Sequence, residues 1–327
     1  MKAVLCKSYG PPENLTLEEV DSPSPKQGEV LIDVYAAGLN FPDTLQIAGK
    51  YQFQPPFPFT PGSEASGIVT EIGEGVTLVK PGDRVMAMLG IGGMAEQAVA
   101  PESAVRVIAD GMDLKAASGF GLIYGTSYHA LKQRANLQAG ETLLVLGASG
   151  GVGYSAIEIG KTMGARVIGA ASTDEKLEIA RAAGADELIN YTNEPLKEAV
   201  KKLTGGAGAD VVYDPVGGDL CEQALRATNW EGRFLVIGFA SGVIPKIPAN
   251  LALLKGCQIV GVFWGDFQRR TPELNDQNFK ELFQLYEQGK LKPLVKQVYP
   301  LEKYADALNL FLERKAVGKV VIEIRKE

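Results

Sequence analysis

The stretch Leu143-Leu-Val-Leu-Gly-Ala-Ser-Gly-Gly-Val-Gly153 decides the fold. Leu143 to Leu146 has the length and composition of a fully buried strand. A glycine-rich turn follows, and then a helical pattern from about residue 151 to 163. Aligned on its last glycine, Ala148 to Gly153 reads A-x-G-x-x-G, a variant of the dinucleotide fingerprint with Ala148 in first place. In that reading Gly150 lets the backbone approach a pyrophosphate, and Ser149, Gly151 and Val152 complete the turn. The phosphate charge then sits at the helix N-terminus, and Gly153 permits close helix–strand packing. Such turns also arise for packing reasons alone, so the context matters.

Downstream of the turn, strand and helix alternate. Strand patterns fall at residues 166–170, 187–189, 210–213, 233–237 and 258–262, with helical patterns at 175–183, 195–203 and 219–227. Together with Leu143 to Leu146 this makes six strands separated by helices, the pattern of a doubly wound parallel sheet. The first ~110 residues differ: short strands (29–37, 66–72, 84–88, 95–100) lie between Pro- and Gly-rich turns such as Val79-Lys-Pro-Gly-Asp83, which suggests a compact β-barrel-like domain. In the tail, Phe279, Leu282, Phe283 and Tyr286 mark one helix face and Tyr304, Ala307, Leu308 and Phe311 another. A strand at 319–324 closes the chain.

Composition narrows the function. A chain of 327 residues fits two domains. Its 46% hydrophobic and 22% charged residues suit a folded enzyme or binding protein. The net charge of −6 is spread without long like-charge blocks, which argues against nucleic-acid binding. No apolar run approaches the ~20 residues of a membrane span, and Met1 to Leu5 lacks the marks of a signal peptide. Cys6, Cys221 and Cys257 are dispersed, as expected in a reducing cytoplasm. The single histidine, His129, leaves little material for a zinc site or a Ser-His-Asp triad.

The second strand of the alternating region reaches its tip at Ala170 or Ala171, where an NAD site expects an acidic residue for the ribose hydroxyls. Ser172, Thr173 and Lys176 follow instead, a set suited to a 2′-phosphate, so NADPH is the expected cofactor. Lys176 as a solvated lysine and Asp174 as a helix cap are the plainer alternatives.

Taken together, Ala37-Gly-Leu-Asn-Phe-Pro-Asp43, Thr60-Pro-Gly-Ser-Glu-Ala-Ser-Gly67, Val79-Lys-Pro-Gly-Asp-Arg-Val85, Ala148 to Gly153, Asp214-Pro-Val-Gly217 and Gly318-Lys-Val-Val321 give a wider match. With them the whole chain resembles the zinc-independent quinone oxidoreductases of the medium-chain dehydrogenase/reductase superfamily. The resemblance implies a Rossmann domain (121–264) inserted in a GroES-like β-barrel catalytic domain (1–120 plus 265–327). It also implies that no metal is bound. The related zinc alcohol dehydrogenases have a cysteine where Asn40 stands and a histidine where Ser63 stands, and their cysteine-rich zinc lobe is missing.

By the same resemblance Asn40 borders the nicotinamide ribose, Thr126 approaches the nicotinamide, and Tyr191 and Lys176 lie near the adenosine phosphate. Phe239, Phe263 and Lys319 line the cofactor cleft. Tyr51, at the substrate mouth, and Asn40 are the catalytic candidates. A second tyrosine of some relatives is Leu45 here, which leaves the proton donor open. Plainer roles exist throughout: Tyr51 in an aromatic surface loop with Phe53, Phe57 and Phe59, Asp43 capping a helix, Glu64 pairing with a buried cation, Lys319 on an exposed strand.

The expected activity is NADPH-dependent hydride transfer to quinones or α,β-unsaturated carbonyls. The alternatives are an enoyl-thioester reductase, with Arg269-Arg270 as the one basic candidate for CoA, and a non-catalytic NADPH-binding redox sensor. The apolar edge strand Gln258 to Phe263 suggests a homodimer through the cofactor domain.

Overall fold

Thr142–Leu146 is a central strand of a six-stranded sheet in the computed structural model, which describes every residue from Met1 to Glu327. The sheet runs Glu187–Asn190, Arg166–Ala171, Thr142–Leu146, Ala209–Asp214, Thr228–Val236, Gln258–Gly261. Every neighbouring pair is parallel. Numbered along the chain, the order is 3-2-1-4-5-6, the doubly wound arrangement expected from the alternating pattern. Leu144, Leu146, Ile168, Val212 and Phe234 pack under Leu196, Val200 and Leu225 from the crossover helices. The order reverses between Thr142–Leu146 and Ala209–Asp214. There the glycine turn meets the turn after Asp214: a Cβ on Gly147 would lie 3.1 Å from Val216 Cγ2.

A second, seven-stranded sheet is built from both chain ends. Its order is Val295–Pro300, Lys319–Glu323, Glu29–Leu39, Glu64–Ile72, Arg84–Met88, Val105–Val107, with Gln97–Pro101 also on Glu29–Leu39. The 11-residue strand Glu29–Leu39 pairs antiparallel with three others, so it organises this sheet. Lys319–Glu323 lies between it and Val295–Pro300, which ties the C-terminal residues into the N-terminal sheet. Val4, Leu39, Ile47, Met94, Leu308, Val320 and Ile322 share one core there.

The chain divides into two compact units, Met1–Leu122 with Pro293–Glu327, and Ile123–Lys292. Residues 265–292, expected with the chain ends, fall in the second unit instead. The reason is a set of polar and aromatic contacts with the segment that follows helix Leu114–Tyr128. Phe267 stacks on His129 with ring centroids 3.8 Å apart. Gln133 donates to Asn278 Oδ1 at 2.8 Å, and Tyr128 and Lys132 both reach Glu281. Trp264 anchors the connection through Nε1, which donates to Asn275 at 3.0 Å. No helix is long and apolar enough to cross a membrane.

Candidate active site

The strand Thr142–Leu146 ends at Gly147, whose φ of +57° suits glycine, and helix Gly151–Thr162 begins four residues later. The helix cap is Gly150, which offers no capping side chain, and the first turn carries no acidic residue. Its first N–H groups therefore have no side-chain acceptor, the condition for receiving a phosphate. Gly153 is required by packing: a Cβ there would sit 2.2 Å from the Gly147 carbonyl oxygen. Ala148 and Ser149 are buried within the turn. Beneath it the Ser127 hydroxyl donates to the Val152 carbonyl at 3.0 Å and lies 2.8 Å from the Tyr213 hydroxyl. Thr126, one residue earlier, is also buried.

The tip of Arg166–Ala171 carries no carboxylate, and the structure gathers the expected alternatives around it. Lys176 Nζ lies 3.4 Å from Ser172 Oγ, and Thr173 caps helix Asp174–Ala182 by accepting the Lys176 N–H at 3.3 Å. The nearest acid, Asp174, accepts the Asn190 amide at 2.7 Å. Tyr191 follows on the neighbouring strand, its N–H donating to Ala171 O at 3.2 Å. Thr192, which the sequence did not single out, donates to the Ser172 carbonyl at 2.9 Å and fixes the tip. Phe239 packs on Gly217, where its ring comes within 2.9 Å of where a Cβ would stand. Phe263 stands before helix Trp264–Arg270 with most of its ring exposed.

The chain-end unit holds a separate polar cluster. Asp43, expected to cap a helix, forms a capping box with Asn40, accepting the Asn40 N–H at 2.7 Å, and also accepts the Ser63 N–H at 3.2 Å. The Asn40 amide donates to Glu64 Oε1 at 2.9 Å, and its carbonyl oxygen accepts Lys319 Nζ at 2.7 Å. Lys319 also forms an ion pair with Glu64, whose other oxygen accepts the Leu122 N–H at 2.9 Å. Both charged side chains are only 2% exposed. Lys319 is thus the buried cation expected for Glu64, and the alternative of an exposed strand lysine is corrected. Gly119 makes room for it, since a Cβ there would meet Lys319 Cγ at 2.3 Å.

Burial pushes the Asp43 carboxyl up to about 6, against the Asn40 N–H and the charge of Lys319, which pull it down. Tyr51 is partly buried. Desolvation, and then the charge of Asp43, raise its phenol, which keeps its proton through neutral pH.

Residues 26–110 match the family described as alcohol dehydrogenase GroES-like domain, and residues 151–285 the family described as zinc-binding dehydrogenase. A quinone oxidoreductase-like protein 2 homolog of Nematostella vectensis is 40% identical over 99% of this chain and 89% of its own length. Human quinone oxidoreductase is 34% identical over 98% of this chain and 97% of its own. The chain belongs to the quinone oxidoreductase family. It is an oxidoreductase of the medium-chain dehydrogenase/reductase superfamily. Among solved structures, Escherichia coli quinone oxidoreductase complexed with NADPH superposes with a TM-score of 0.92 at 28% identity, covering 99% of this chain and 100% of that one.

The buried pair makes a prediction. Lys319→Met leaves Glu64 as an uncompensated buried charge and should cost about 3–5 kcal/mol of unfolding free energy. Glu64→Gln combined with Lys319→Met should recover most of that loss in urea titrations. A double variant as unstable as the single one would show that packing around the lysine stem, not charge, is the source.

Proposed function

We propose that this protein uses NADPH to reduce quinones or α,β-unsaturated carbonyl compounds without a metal ion. Bound NADPH would supply the hydride. The glycine turn offers unpaired N–H groups to the pyrophosphate, and Ser172, Thr173 and Lys176 offer hydroxyls and an ammonium to the 2′-phosphate. Thr126, Tyr191, Phe239, Phe263, Asn40 and Lys319 are the further cofactor contacts of this proposal, carried over from the family resemblance.

The observation that carries the metal-free reading is the ammonium of Lys319 held between Asn40 and Glu64. An amide and a hydroxyl, Asn40 and Ser63, stand where the zinc relatives have thiolate and imidazole, and a cation already compensates the Glu64 carboxylate. Zinc prefers thiolate and imidazole donors, which this set lacks. Without a Lewis acid the substrate must accept hydride with no metal to polarise it, as a quinone or enone does by moving charge to a distant oxygen. Overall, quinone, NADPH and one proton give hydroquinone and NADP⁺. Asn40 positions, and Tyr51, protonated at neutral pH, donates a hydrogen bond to the oxygen that gains charge.

We further propose that two copies pair through the edge strand Gln258–Gly261. Its outer face is open, with Ile259 38% exposed, and Trp230 and Leu253 on the preceding elements are 66% and 79% exposed. An apolar edge of this kind invites strand pairing, and a two-fold contact closes it.

Four measurements test these proposals. Against a panel of quinones, enones, aldehydes and enoyl-CoA esters, NADPH oxidation should be confined to quinones and enones. Lys176→Ala should raise the apparent constant for NADPH about ten-fold and leave NADH little changed; equal losses would remove the phosphate assignment. Elemental analysis should find no stoichiometric zinc, and chelators should leave the activity intact; one zinc per chain, lost together with activity, would refute the metal-free reading. Light scattering should give twice the 34.9 kDa chain mass, falling towards one chain in Ile259→Lys. A wild-type mass of one chain would reject the dimer.

A further inference from the structure

A second buried carboxylate lies in the cofactor unit, outside the chemistry described above. Glu158 sits on helix Gly151–Thr162, about two turns from the glycine turn, and is only 6% exposed. Its Oε2 accepts the Tyr124 hydroxyl at 2.5 Å, and its Oε1 accepts the Lys292 backbone N–H at 2.9 Å. These partners mark the two ends of the unit, which begins at Ile123 and ends at Lys292. One turn nearer the glycines, the Ser155 hydroxyl donates to the Ile123 carbonyl at 3.1 Å, and Ser127 donates to Val152 at the helix start. The phosphate-binding helix is therefore tied along one side to the segment where the chain enters the unit, and at Glu158 also to the residue where it leaves.

We propose that Glu158 is a positioning residue that transmits occupancy of the phosphate-binding turn to both points where the chain passes between its two units. The inference rests on the cofactor reading above. The helix and the side chains bonded to it form the contiguous packed network through which such a coupling would travel. Of the bonds that carry the coupling to the exit residue, the one from Lys292 ends on Glu158, and a charged acceptor holds it more strongly than a neutral one.

Burial pushes the Glu158 carboxyl up to about 7, opposed by the Tyr124 hydroxyl, the Lys292 N–H and the Lys292 charge. The other titratable groups around it are phenols. Tyr124 and Tyr154 are both raised by burial and by Glu158, and Tyr286 faces Tyr124. Tyr124 and Tyr154 stay neutral while Glu158 titrates. The clamp is charged above neutrality and weakened below it.

Hydrogen–deuterium exchange at pH 8, with and without NADPH, tests the coupling. In the wild type NADPH should slow exchange in peptides covering residues 147–155 and also those covering 118–128 and 288–296. In Glu158→Gln, which mimics the protonated acid, the slowing at 147–155 should persist and that at the two distant segments should be lost. Tyr124→Phe, a milder change, should lose it at 118–128. Fluorescence titration should show NADPH bound about five-fold more weakly by Glu158→Gln at pH 8, with the gap closing by pH 6. Slowing at the turn alone in the wild type, or distant slowing kept in Glu158→Gln, or a gap independent of pH, would overturn the coupling and leave the cofactor reading standing. No slowing at 147–155 in the wild type would overturn both.

Discussion

The ion pair between Glu64 and Lys319 is the constraint around which the chain-end unit is organised. Its members are 255 positions apart and both almost wholly buried. Two charges removed from water demand close mutual contact and saturated hydrogen bonding. Asn40 bridges them and the Leu122 N–H takes the remaining carboxylate oxygen, so four separate stretches of chain are fixed in register by one cluster. The pair contributes little net stability against an apolar substitute, but leaving either charge alone costs several kcal/mol. What it enforces is specificity: the last strand, Lys319–Glu323, has to lie beside Glu29–Leu39 for the ammonium to find its partners. The C-terminal residues are thereby recruited into the N-terminal sheet, and the sequence between them forms a unit of its own.

That inserted unit follows a different rule, set by glycine instead of charge. Gly153 brings the helix start against the carbonyl of Gly147, closer than any side chain would permit. The same turn leaves the first helical N–H groups without a side-chain cap at the point where the strand order reverses. Beneath the turn, Ser127, Ser155 and Tyr213 share one hydroxyl cluster, which supports the loop without presenting an acceptor to an incoming phosphate.

The parts of the fold that were legible in the sequence are those in which a local pattern determines the structure. The strands of the parallel sheet carry near-continuous apolar runs, and their positions and order follow from alternation with amphipathic helices. Asp43 could be read as a cap because capping is a three-residue affair, and Glu64 could be expected to pair with a cation because an acid in a motif of small residues must be compensated. The identity of that cation could not be read, since a lysine opening a strand looks the same whether it faces water or an acid from the other end of the chain. The resemblance places residues 265–292 with the chain ends, and their own pattern cannot correct it, because amphipathic faces such as Phe279 and Leu282 say that a helix packs, not where. The contacts that decide it, Phe267 on His129 and Asn278 on Gln133, join residues over a hundred positions apart. Glu158 did leave a trace. It is the single acid in Gly151-Val-Gly-Tyr-Ser-Ala-Ile-Glu-Ile-Gly160, a stretch otherwise apolar or small, and an acid there must be buried and bonded.

The two buried glutamates show how a protein chooses between a fixed and a movable charge. Glu64 is given a lysine in direct contact, both side chains almost wholly buried, which suits a frame that has to remain the same through every turnover. Glu158 is given only a hydroxyl and a backbone N–H, which stabilise its ionised form less than a cation in contact would. Its proton therefore comes and goes near neutrality, and the bonds it accepts change strength with it. The sign follows from the shift. The folded protein holds this proton to higher pH than the unfolded chain does, so as pH rises through about 7 the native state bears the cost of burying the charge. A carboxylate retained at that cost, at the one place where the helix carrying the glycine turn meets both ends of its unit, is explained by what its charge does to those two bonds and not by any gain in stability.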